Sequence, residues 1–383
     1  MKLALAGAAV FVLACVLVPQ GLLHDSYYSD VHVYGLYARN MLGGQIPYRD
    51  FFDEYPPLAQ VVFLAARSAL AFKLLMTAFG VGIVWLLATV YRSRLAVAVF
   101  AVSPLLVGSI YLNAYDLWPA FLLAVSLALA LRRKCVWSLA VLGLAVAAKV
   151  YPIAVLPLLL LHVDREARRR GLLAFVGVLV VTHLPFAALG AGGLKESYWL
   201  QAKRGLELNS LGSSILLALG HRELANQAPG SLNVLGGTAD AVATAGSLLV
   251  LASIALAAWL YARGRLSLLV ACATAVAGFV AFDKVFSAQY VEWIAPLAPL
   301  GGVVAAALTT AALLLTHAVF SHRSALADQH DLAWLLARNA VCVALFFRLA
   351  TASRRRPREP SLEYRSWRRR LARRRCPPAG RSA

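Results

Sequence analysis

Apolar runs long enough to cross a bilayer recur along the whole of this chain. LALAGAAVFVLACVLV (3–18), LLAFVGVLVV (172–181) and AVATAGSLLVLASIALAAWL (241–260) are three of them. A span through the hydrocarbon core takes about 20 mostly apolar residues, since an α-helix rises only ~1.5 Å per residue. Lipid offers the backbone no hydrogen-bond partner, so such runs must satisfy their own N–H and C=O groups as helices. The balance of charge argues against a soluble fold. Charged residues make up 14% of the chain, against about 25% in a typical soluble domain. The expected fold is therefore all-α, a polytopic membrane bundle.

Basic residues collect on the cytoplasmic side of membrane proteins. Here they cluster at Arg92/Arg94, Arg132–Lys134, Arg165–Arg170 and Arg263/Arg265, and after residue 353. Placing all of these inside, with the N-terminus, gives about twelve spans: 3–22, 72–91, 95–112, 117–131, 136–148, 150–162, 171–189, 239–262, 266–281, 291–303, 304–320 and 332–351. Pro152 forces the break between the fifth and sixth. The run 293–320 is divided at Gly301-Gly302, because a single span there would put the Arg-rich tail outside. Loops 23–71, 190–238, 282–290 and 321–331 then fall on the outer face. Their short apolar stretches 57–71 and 211–219 suit helices lying in the interface. The bundle, residues 1–352, is one domain, and 353–383 is a basic tail.

The tail holds twelve Arg against Glu359 and Glu363, +10 of the net +19. It reads as a topology anchor in contact with anionic lipids and not as a nucleic-acid site. The five cysteines are scattered with no C-x-x-C pair, which argues against zinc and against a disulfide framework. Lys2 before an apolar run, without a small-x-small cleavage site, reads as an uncleaved first span.

Charge on the outer face is where chemistry is expected. The first loop carries Asp30, His32, Arg39, Arg49, Asp50, Asp53 and Glu54. From Asp30 the spacing predicts a helix with Val33, Tyr34, Tyr37 and Met41 on one face, ended by Gly43-Gly44. Asp30 can cap that helix or serve a site near the membrane boundary. Lys149 falls at the Pro152 break, Arg204 in QAKRGLELNSL and Lys284 in AFDKVFSAQYVEWIAPL. With the aromatic Tyr151, Tyr198, Trp199, Tyr290 and Trp293, these cations suit an anionic, partly sugar-like ligand. Asp116, at the start of the fourth span, is a cap or a further catalytic group. His317 and His322 lie near an outer edge. No G-x-x-x-x-G-K-[ST] loop supports ATP hydrolysis and no D-x-D is present. Asp50, Asp53 and Glu54 could hold a hard cation, but no metal or cofactor is expected.

Around these residues the sequence resembles glycosyltransferase family 87, a family of C-type membrane glycosyltransferases that includes polyprenyl-phosphomannose-dependent α-1,2-mannosyltransferases. The resemblance rests on SDVHVY, GQIPYRDFFDEYPPLA, NAYDLWPAFL (113–122), AAKVYPIAVLPLLL (147–160), RGLELNSL (204–211) and DKVFSAQYVEWIAPL (283–297). Ala288 and Asp283 depart from the pattern, where Pro and Asn are expected. The resemblance implies a lipid-phosphate sugar donor, inverting transfer at the outer face, and a first-loop carboxylate as catalytic base, the position Asp30 matches.

The expected function is transfer of a hexose, mannose, from a polyprenyl-phosphate donor to a glycolipid or polysaccharide hydroxyl at the outer face of the plasma membrane. Asp30 and Glu54 are the catalytic candidates. Arg204, Lys149 and Lys284 are assigned to the donor phosphate, and Tyr34, Tyr151, Gln289, Tyr290 and Trp293 to sugar and acceptor. A lipid or sugar transporter is the alternative. It would more often show internal repeats and midplane charges, whereas this chain has no clear repeat and gathers its charges at one face.

Overall fold

A computed structural model describes residues 1–18, 29–228, 231–321 and 329–352. The His322 and basic-tail expectations lie outside them. The helices in chain order are α1 (Lys2–Leu17), α2 (Val31–Leu42), α3 (Ala59–Phe63), α4 (Ala69–Thr89), α5 (Arg94–Val107), α6 (Ile110–Asn113), α7 (Leu117–Leu131), α8 (Cys135–Ala148), α9 (Leu156–His162) and α10 (Arg165–Lys203), followed by α11 (Leu211–Ala218), α12 (Gly237–Ala262), α13 (Leu268–Phe282), α14 (Val291–Ile294), α15 (Val303–Ser321) and α16 (Gln329–Ala350). Among the described residues, five helices are long and apolar enough to cross a membrane, within α4, α10, α12, α15 and α16. Shorter apolar helices are α1, α5, α7, α8, residues 151–162 and α13. The protein is an all-helical membrane protein in its main architecture.

The helix ends sort into two sets. The turns bearing Arg92/Arg94, Arg132–Lys134 and Arg263/Arg265 close one end of the bundle. His162, just before Asp164–Arg170, bonds Tyr261 at that end (2.8 Å). The opposite ends of the same helices carry Asp116, Lys149 and Asp283 as caps. Helix α7, of 15 residues, separates Asp116 from Arg132 by ~22 Å.

Two expected elements differ. Residues 291–303 form no continuous span. The chain returns through short turns, Ala288–Tyr290, α14 and Ala298–Gly301. Pro296 and Pro299 remove backbone donors, and Gly302 adopts φ +101. These turns are mostly buried, so the protein interior satisfies irregular backbone that lipid would not tolerate. Gly301 lies against Leu349, near the C-terminal end of α16.

The expected outer loop 190–238 begins as helix. α10 runs to Lys203, interrupted only at Gly190 (φ −152, ψ 47). At Gly193 an added Cβ would lie 1.9 Å from the Tyr48 carbonyl oxygen. Glycine there lets the first loop press on α10. The same region holds a small antiparallel sheet, β1 (Leu206–Glu207), β2 (Leu224–Ala228) and β3 (Ser231–Val234), in the order β1-β3-β2. The other outer elements follow the pattern of the sequence. α2 ends at Gly43, with Gly44 at φ +86, and the two interfacial stretches contain α3 and α11.

Candidate functional site

A cavity of about 480 Å³ opens among the ends of α2, α7, α8, α10 and α13. Nine of the ten expected site residues line it: Asp30, Glu54, Lys149, Tyr151, Arg204, Lys284, Gln289, Tyr290 and Trp293. Volumes of ~300–1,000 Å³ hold most small ligands.

Asp30 occupies the N-cap of α2, but its carboxylate makes no cap hydrogen bond. It faces the cavity and accepts from the Tyr34 hydroxyl (3.4 Å). Its backbone N–H donates to the Asn113 carbonyl (3.1 Å), tying the first loop to α6. Burial pushes the Asp30 carboxyl up to about 6, with Lys149 opposing the shift and Asp116 and Glu54 adding to it. Tyr34 is the tenth expected residue and does not line the cavity. Its ring is fully buried behind Asp30, stacked on Phe63 at 4.4 Å. The helical spacing that grouped it with Tyr37 marks a packed face.

Glu54 is half-buried on the cavity wall. Burial raises its carboxyl, and Arg204 and Lys149 pull it back. Asp53 is fully buried and accepts from the Tyr55 N–H (2.9 Å), while Asp50 pairs with exposed Arg49 (2.8 Å). The three neighbouring carboxylates therefore face three different surroundings.

Lys149 ends α8 in extended backbone. Its ammonium donates to Asp116 Oδ1 at 2.6 Å and sits 4.8–5.7 Å from the rings of Tyr115, Tyr290 and Trp293. The same Asp116 oxygen accepts from Trp293 Nε1 (2.6 Å). Asp116 is fully buried and makes no cap hydrogen bond either. Trp293 lies between Tyr151 (4.0 Å, interplanar 2°) and Tyr290 (3.9 Å), a stack that forms one wall.

Arg204 donates to Ser231 Oγ (3.1 Å) and Gln201 Oε1 (3.4 Å). Lys284 donates to the Ala202 carbonyl (2.7 Å), and burial lowers the pKa of its ammonium. Arg204 Nε, Tyr151 Oη and Gln289 Oε1 are buried with no hydrogen-bond partner among the described residues. Buried polar atoms are costly unless bonded, so these three are ready partners for a polar ligand.

The reading from sequence missed several residues. Asp283 appeared only as a departure from pattern, yet it lines the cavity, and burial pushes its carboxyl to about 6. Tyr55, Tyr115, Ser197 and Gln201 also line it, without any signal of spacing or charge to mark them. His317 lies apart, bonded to the Val107 carbonyl (2.9 Å).

The chain belongs to glycosyltransferase family 87, whose profile matches residues 52–282, more than half its length. The family makes it a membrane glycosyltransferase, an enzyme that takes a sugar donor and an acceptor. The matched stretch contains Glu54, Lys149, Tyr151 and Arg204. Asp30, Lys284, Gln289, Tyr290 and Trp293 lie outside it, and the fold brings them to the same cavity. No curated protein matches the chain.

Proposed function

We propose that the protein transfers a hexose, mannose, from a polyprenyl-phosphate donor to a hydroxyl of a glycolipid or polysaccharide at the outer face of the plasma membrane, with inversion. The observation that carries this reading is the meeting of the Asp30 carboxylate with Arg204 and Lys284 in one cavity at the end of the bundle away from the basic turns. Positive charge in short loops marks the cytoplasmic side, so the cavity faces outward.

A sugar hydroxyl is a poor nucleophile at neutral pH. Asp30 accepts its proton as the hydroxyl oxygen bonds to the anomeric carbon, which is general-base catalysis. The bond from that carbon to the donor's phosphate oxygen breaks, and the electron pair leaves with the polyprenyl phosphate. Arg204 stabilises the leaving charge through its planar fork of donors, with Lys284 beside it. The Lys149 ammonium spends one of its three N–H groups on Asp116 and keeps others for the phosphate. Tyr151 and Tyr290, the outer rings of the stack that Trp293 holds together, offer ring faces to the sugar, and Tyr151 Oη and Gln289 Oε1 offer hydrogen bonds to its hydroxyls. Glu54, held near Arg204, orients the acceptor or shares the base's task.

The test is incubation of membranes containing the protein with radiolabelled polyprenyl-phosphate sugars. Transfer of label to endogenous glycolipid or polysaccharide is the expected outcome, with mannose the preferred sugar. Label that crosses the membrane still attached to its lipid would favour a transporter and overturn the proposal.

A further inference from the structure

Arg338 lies within the apolar helix α16 and is fully buried. An ionised side chain at such depth is expensive and marks function more often than packing. Its guanidinium covers the Phe286 ring at 3.9 Å and donates to the Asn209 carbonyl and to Asn339 Oδ1 (2.9 Å). Asn339 Nδ2 in turn donates to the Ser210 carbonyl and to Ser214 Oγ, both at 3.1 Å. Two adjacent side chains of one helix thus grip a single turn.

That turn leads directly to the cations of the cavity. Glu207, also buried, accepts from Asn209 N (3.1 Å), Asn209 Nδ2 (2.6 Å) and Phe286 N (3.1 Å). Its own N–H donates to the Lys284 carbonyl (2.9 Å). The loop of Arg204 and the loop of Lys284 are joined at Glu207 and anchored from behind by α16. Arg338 itself does not line the cavity.

We propose that Arg338 and Asn339 are positioning residues for the donor phosphate: by gripping the Asn209–Ser210 turn they set the spacing of Arg204 and Lys284. This rests on the function proposed above. The physical argument is one of cost. Replacing a whole buried ionic cluster with apolar groups of similar volume is often neutral or stabilising, although removing one member alone is costly. An arginine kept here for stability alone would be a poor choice, whereas one that holds two cationic loops in register has a use that methionine lacks.

The experiment compares wild type with Arg338→Met, Arg338→Lys and Asn339→Ala in phosphatidylcholine nanodiscs. It reads the thermal unfolding midpoint, polyprenyl monophosphate binding by Trp fluorescence, the donor KM and kcat, and amide exchange of residues 204–210 and 284–287. Arg338→Met is expected to fold with a lowered midpoint, because buried acceptors lose their donor, to weaken binding and raise the donor KM at least tenfold, and to change kcat less than threefold. Both loops should exchange faster. Arg338→Lys should recover part of the affinity. A folded Arg338→Met with wild-type affinity and wild-type exchange overturns the inference. If Arg338→Met fails to fold, Asn339→Ala decides, since it removes the donor to the Ser210 carbonyl and Ser214 Oγ and leaves the Arg338 side chain in place. Weaker binding with faster exchange supports the bracket, and no change in either overturns it. Wild type that binds no polyprenyl phosphate sinks the proposed function, and the exchange data then judge the bracket separately.

Discussion

The two ends of the bundle use charge in opposite ways. At one end Arg92, Arg94, Arg132, Arg133, Lys134, Arg263 and Arg265 are exposed. The ion pair there, Arg170–Glu166, is an exposed i,i+4 contact, and such pairs contribute only tenths of a kcal/mol. At the other end Asp30, Glu54, Lys149, Arg204, Asp283 and Lys284 are half-buried around a cavity. Exposed charges keep their hydration and act through number and sign, as topology signals. Half-buried charges lose hydration, act on one another, and have their proton affinities set by position. Under the proposed function, the exposed set serves orientation and the half-buried set serves chemistry.

The largest effect expected is at Asp30. Asp30→Asn keeps the shape but cannot accept a proton at neutral pH. Because the carboxylate makes no cap bond, folding should be little affected and membrane levels normal. Transfer should fall 10²–10⁴-fold, roughly 3–5 kcal/mol of barrier. Asp30→Glu should be intermediate. A base must be ionised to work, and the Asp30 carboxyl is raised to about 6. Wild-type kcat/KM should therefore climb about tenfold per pH unit below 6 and level off above. Asp283 is raised to about 6 as well, so the limb must survive in Asp283→Asn for Asp30 to own it. Full turnover in Asp30→Asn with loss in Glu54→Gln would move the base to Glu54.

A smaller loss is expected at Arg204. Arg204→Ala removes both charge and fork, and turnover should drop about 100-fold, the low end of the range for a lost transition-state donor. Arg204→Lys should lose less, since charge remains but the planar pairing does not. Asn at Asp30 should impair kcat, while Ala at Arg204 should also weaken product-anion binding. If donor binding and turnover both survive Arg204→Ala, the clamp passes to Lys284 and Lys149, and the sequence's one outer-face guanidinium in the cavity is structural.

Much of this division is legible in the sequence. Charge is so scarce in the apolar runs that each exception stood out, and Asp30, Glu54, Lys149, Arg204 and Lys284 do converge. The proline after Lys149 foretold the break that presents its ammonium. What stayed hidden depends on long-range contact. Asp116 meets Lys149 and Trp293, which are 33 and 177 residues away in sequence. Arg338 meets Asn209 across 129 residues. Neither pairing leaves a local period. Residues 191–203 read as loop because AGGLKESYWLQAK is polar and opens on glycines, but α10 continues through them. Residues 291–303 read as a span because they are apolar, although their prolines and glycines prevent a continuous helix. Hydropathy reports where a segment can be buried, not whether its backbone stays helical there.

The smallest effect on rate is expected at the basic end, and it is the most direct check on the comparison. Arg132 and Arg133 are exposed, ~22 Å along α7 from Asp116. That separation exceeds a Debye length of about 8 Å at physiological salt, so their charge is screened from the cavity. Arg132→Gln with Arg133→Gln should leave the turnover of correctly inserted protein within about twofold. Their influence belongs to insertion, and labelling reads it. In a cysteine-free background, Arg222→Cys, on the cavity side, should react with an impermeant maleimide added outside intact cells. Lys134→Cys should react only after the membrane is opened. If the labelling is reversed, the cavity faces the cytoplasm and the outer-face proposal fails, whatever the mutations at Asp30 show. If labelling is as expected but the double glutamine variant loses turnover in properly oriented protein, the basic turns reach the chemistry, and burial no longer separates the two sets of charge.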